Sequence, residues 1–113
     1  MYTEDGTQEQ RDRCNEFRAD RRKLTSRLRD NSDQYDLLQS RLLQEQRLLD
    51  SLNRQIDRTG DPAGFQQQLT QLENRIRELR SSLRIAEAQG EQLQLELEKV
   101  DSNLWNYNCT EVS

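Results

Sequence analysis

Residues 56–65 read Ile-Asp-Arg-Thr-Gly-Asp-Pro-Ala-Gly-Phe and hold the only proline of the 113-residue chain and two of its four glycines. Gly60 can adopt the left-handed backbone that ends a helix. Asp61 can accept a hydrogen bond from the free amides of a following helix, and Pro62 suits a first helical position, where no N–H is needed. The stretch predicts a turn over 59–64 between one helix ending near 58 and another starting near 62. Phe65 is the first apolar residue past the turn, so it completes a candidate tip with Gly60, Asp61 and Pro62.

Upstream of the turn, Cys14, Phe17, Arg21, Leu24, Leu28, Asn31, Tyr35, Leu38, Leu42, Glu45, Leu49, Leu52 and Ile56 recur at alternating steps of three and four residues. Downstream, the same steps run through Phe65, Leu69, Leu72, Ile76, Leu79, Leu83, Ala86, Gly90, Leu93, Leu97, Val100, Leu104 and Tyr107. Such a heptad pattern places one apolar stripe along each helix. Charged residues make up 34% and apolar residues 31% of the chain, too polar a mixture to enclose a globular core, so a narrow seam must do the burying. Disordered chains share the polarity but lack a sustained apolar period.

Two long helices joined by a tight turn lie antiparallel. The fold expected is therefore an all-α, two-helix antiparallel coiled-coil hairpin over 8–107, with helix 1 about 8–58, helix 2 about 62–106, a flexible N-terminus at 1–7 and a tail at 108–113. With Ile56 beside Phe65, the layers pair Leu52 with Leu69, Leu42 with Leu79, Leu28 with Leu93 and Phe17 with Leu104. The bulky Tyr35 falls opposite Ala86, and Asn31 falls opposite the gap left by Gly90, so large and small residues interdigitate. Residues 11–29 carry eight Arg or Lys against three acids, while 87–101 carry five acids against one Lys. These stretches lie side by side in the same register, with Arg27 expected to flank Glu96 and Arg18 to flank Asp101. The polar seam residues Arg21, Asn31 and Glu45 read as register-setting positions or as long side chains reaching out to water.

Cys14 and Cys109 are the only cysteines and lie almost equally far from the turn, so the hairpin itself brings them to one end. The layer partner of Cys14 is Tyr107, which places Cys109 half a turn beyond and requires the last residues to bend before the sulfurs can meet. The expected bridge would staple the open end, stabilising the fold by roughly 4 to 5 kcal/mol in the chain-entropy model. Disulfides persist mainly in oxidising compartments, so the pair points to a periplasmic or extracellular protein. Two free thiols in a cytosolic coiled coil are the alternative. With no histidine in the chain, two thiolates leave a zinc site half-filled, and no metal or cofactor is expected. The spacing is also not that of a redox-active Cys-x-x-Cys pair.

No glycine-rich phosphate loop or activated-nucleophile constellation occurs, and a two-helix rod has no pocket from which to exclude water, so neither an enzyme nor a small-molecule substrate is expected. The basic residues Arg21, Arg22, Lys23, Arg27 and Arg29 could suggest nucleic acid. Asp20, Asp30 and the facing acidic stretch cancel much of that field, and the reading is a solvated, register-setting face without nucleic acid. Asn108, Cys109 and Thr110 form a glycosylation sequon, a short pattern common by chance. Trp105, Tyr107 and Phe17 gather near the open end, where they are expected to cap the seam rather than to form a docking site. Beyond the seam, Leu37 and Leu48 occupy c and g positions of helix 1, and Ile85 a c position of helix 2 on the same side. These three mark a candidate partner face, for another protein or for a homodimer.

The functional expectation is a non-catalytic, extracytoplasmic coiled-coil spacer, adaptor or assembly subunit. Any membrane tether of a secreted or anchored parent would lie outside this chain. The alternative is a cytosolic docking or chaperone-like stalk of a secretion or motor assembly.

Overall fold

The computed structural model describes residues 7–109. The expected N-terminal arm before Thr7, the tail after Cys109 and the sequon's Thr110 lie outside the described residues. Helix α1 spans Gln8–Thr59, a 3₁₀ turn spans Pro62–Phe65, and helix α2 spans Gln66–Asn106; among the described residues there is no strand. The protein is an all-α helical hairpin whose open end is closed by a Cys14–Cys109 disulfide. It forms two compact units. In one, α1 up to Ser32 meets α2 from Gln89 onward; the other is the turn-proximal stretch Asp33–Ala88.

α1 begins at a cap the sequence reading passed over. Thr7 Oγ1 accepts a hydrogen bond from the Gln10 amide at 3.1 Å, and its carbonyl accepts one from the Arg11 amide at 3.2 Å. A threonine at this position satisfies an amide that would otherwise lack a partner. At the far end the helix stops at Gly60, whose φ of +69° is left-handed and whose amide still reaches the Ile56 carbonyl at 2.8 Å. Glycine is the residue that bears this conformation without a Cβ penalty.

Asp61 does not cap the following helix with its carboxylate, contrary to the sequence expectation. Its backbone sits at φ −124°, ψ 84°, and its amide donates back to Thr59 Oγ1 at 3.4 Å. The carboxylate instead lies over Gly64, 3.4 Å from where a Cβ on that residue would stand. The chain also enters α2 through a 3₁₀ turn with Pro62 at its start, so the first amides are presented differently from those of an α-helical N-terminus. Gln66 closes that turn by donating its amide to the Ala63 carbonyl.

In each unit the residues withdrawn from solvent follow the heptad seam. The clamped unit buries Cys14 and Leu24 and partly covers Phe17, Leu28, Leu93, Leu97, Val100 and Leu104. The turn-proximal unit buries Leu52, Leu72, Ile76 and Ala86, with Tyr35, Leu38, Leu42, Leu49 and Leu83 half-covered around them. A two-helix seam leaves most leucines partly wet, so each contributes less than the ~1.5–3 kcal/mol of a fully buried one. Stability is therefore spread over many layers rather than concentrated in a core. Tyr107 departs from the pattern: it ends the seam at 37% exposure, with its ring edge-on to Phe17 at 5.2 Å.

Candidate functional site

Two places draw side chains together beyond the seam: the cysteine clamp and one flank of the turn-proximal unit. At the clamp, α2 ends in a Schellman motif. Asn108 adopts φ +53°, its amide donates to the Trp105 carbonyl at 3.0 Å, and the Cys109 amide donates to the Leu104 carbonyl at 3.0 Å. Asparagine is the non-glycine residue best suited to that left-handed position. The reversal is the bend that the half-turn offset demanded, and it brings Cα of Cys109 to 5.7 Å from Cα of Cys14, whose side chain is fully buried. Gln10 seals the same end by donating its side-chain amide to the Tyr107 carbonyl at 2.8 Å. Trp105, expected to help cap the seam, instead faces water at 80% exposure.

Charges select partners different from those expected. Arg21 donates to Asp101 at 2.8 Å, while Arg27 and Glu96 line one open groove without pairing. In the turn-proximal unit Arg75 donates to Glu45 at 3.2 Å. Each of these ion pairs originates at a polar seam position, Arg21 or Glu45, that reaches sideways across the hairpin. The long side chain keeps its stem in the seam and its charge at the edge, which is how a polar residue is tolerated there.

The flank is built from the c and g positions of both helices. Leu37, Leu48 and Ile85 are 53%, 53% and 57% exposed, so the three candidate partner residues all lie open to solvent. Leu48, Gln55, Gln68, Gln71 and Arg75 line one shallow groove of about 300 Å³, which places the g and c residues of α1 and α2 on a common side. Between Leu48 and Leu37 the same heptad positions carry Arg41 and Gln44 on α1, and Glu78 and Ser82 on α2. Asp50, Glu73, Arg77, Arg80 and Arg84 line a separate groove of about 710 Å³, formed by e and b positions on the other side. Leu43 and Leu95 are also more than half exposed, but they sit at b and f positions, away from the three. Sequence reasoning did not single them out, because an isolated apolar residue outside the seam carries no periodic signal.

Among the described residues no three His, Cys, Asp or Glu side chains converge as a metal site. No helix among them is long and apolar enough to cross a membrane. No protein-family model, no curated protein and no solved structure matches this chain.

Proposed function

We propose that this chain is a non-catalytic spacer or adaptor that works outside the cytoplasm, held closed by its Cys14–Cys109 disulfide and presenting the turn-proximal flank to a protein partner. The observation that carries the reading is the disulfide between Cys14 and Cys109, which closes a loop of 95 residues at the end where the helices would otherwise splay. A covalent clamp at that position suits a protein that receives no help from a reducing, chaperone-rich compartment. The second support is the flank itself. Leu37, Leu48 and Ile85 stand more than half exposed together on one side of the turn-proximal unit.

The test is alkylation of the protein from its native source, with intact mass measured before and after reduction. The expected result is no added mass until the sample is reduced, then two alkyl groups. Two thiols already open to alkylation in native material would instead support the cytosolic docking stalk.

A further inference from the structure

The turn-proximal flank is unusually poor in charge. From Gln34 to Gln55 on α1 and from Gln68 to Ile85 on α2, its c and g positions carry only Arg41, Arg75 and Glu78, among glutamines, serines and the three exposed apolar residues. Arg75 is already paired with Glu45. Arg41 and Glu78 are exposed and make no ion pair among the described residues. The opposite flank holds Asp36, Asp50, Glu73, Arg77, Arg80 and Arg84 among others, so covering it would desolvate far more charge.

We propose that this flank binds the same flank of a second copy, with the two hairpins parallel and related by a two-fold axis running along the helices. Such an axis lays α1 of one copy over α2 of the other, so every neighbouring helix in the resulting four-helix bundle is antiparallel. The ion pair Glu45–Arg75 sets the intramolecular level of the two helices in this unit. At that register Leu37 and Ile85 lie within about 3 Å of the same level along the helices, and Arg41 and Glu78 within about 1.5 Å. The two-fold then packs Leu37 on Ile85 of the second copy and sets Arg41 beside Glu78 of the second copy, each contact made twice.

The alternative two-fold, perpendicular to the helices, would bring Leu37 to Leu48 but would place Arg41 near Arg41 and Glu78 near Glu78. Like charges facing one another decide against it. The flank is also large enough. Twenty-odd residues at ~1.5 Å each, by two helix widths of ~10 Å, give about 650 Å² per copy, near the lower end for a specific interface.

This partner assignment rests on the reading of the flank as a protein-binding surface, and it is tested on the full oxidised chain by sedimentation equilibrium. A dimer is expected. Arg41→Glu or Glu78→Arg alone should weaken it on the order of tenfold, since each change spoils two symmetric contacts, and the double exchange should restore it. A photo-crosslinking amino acid at position 37 should capture the peptide around Ile85 of the second copy. A monomer at every concentration, a dimer indifferent to both charge reversals, or capture of the peptide around Leu48 would overturn the proposal. A monomer whose thiols are still protected in native material would refute the dimer alone and leave the spacer reading in place.

Discussion

Gly90 lies so close beneath Asn31 that a methyl group on its Cα would come within 2.7 Å of Asn31 Oδ1. A glycine in mid-helix costs about 1 kcal/mol relative to alanine, so its place opposite a polar seam residue reflects space rather than propensity. Gly90→Ala should therefore gain little in the natural chain, because the Asn31 amide must swing away. In an Asn31→Ala background the same substitution should recover most of that ~1 kcal/mol. Urea unfolding of the four proteins checks this, and equal gains in both backgrounds would show that the two residues are not coupled.

The clamp should matter chiefly to the unit that contains it. Replacing Cys14 and Cys109 by serine opens a 95-residue loop and should lower stability by up to ~4–5 kcal/mol. Amide hydrogen exchange should rise most around Phe17, Leu24, Leu97 and Leu104. Uniform loss of protection along both helices would mean that the disulfide stabilises the hairpin as a whole.

The two ion pairs should differ in strength. Arg21 and Asp101 have side chains 37% and 49% exposed, whereas Glu45 is 21% exposed beside a half-exposed Arg75. Double-mutant cycles should give roughly 0.2–1 kcal/mol for each, with the larger value for Glu45–Arg75. Added salt should erode the Arg21–Asp101 coupling first, as water screens it more fully.

At the turn, the two glycines should respond in opposite directions. Gly60→Ala forces a Cβ into a left-handed backbone and should cost about 1–2 kcal/mol. Gly64 meets only the Asp61 carboxylate, at ordinary contact distance, so Gly64→Ala should stabilise by about 0.4–1 kcal/mol through the unfolded chain. Thermal melts of the two variants separate these outcomes.

The flank could be read in outline from the sequence, because Leu37, Leu48 and Ile85 break the polar pattern at c and g positions on one side. Its depletion of charge was equally present in the letters, but it became meaningful only once the grooves showed which positions share a side. Arg41 and Glu78 were passed over for the same reason: a single charge on a heavily charged helix carries no signal until its neighbours across the hairpin are known.

The amino-acid order alone determined the two helices, the turn at Gly60, the seam from Cys14 to Leu104 and the end at which the cysteines meet. These follow from periodicity and backbone preference, which act over a few residues and leave a regular trace. The three-dimensional fold decided that Arg21 rather than Arg18 supplies the ion pair to Asp101, that Asp61 leaves its helix uncapped, and that Asn108 turns the chain so that Cys109 reaches Cys14. Each of those outcomes depends on side-chain reach and on a fraction of a helical turn. Heptad spacing fixes which layer a residue occupies, and the packed structure fixes where in that layer its end atoms lie.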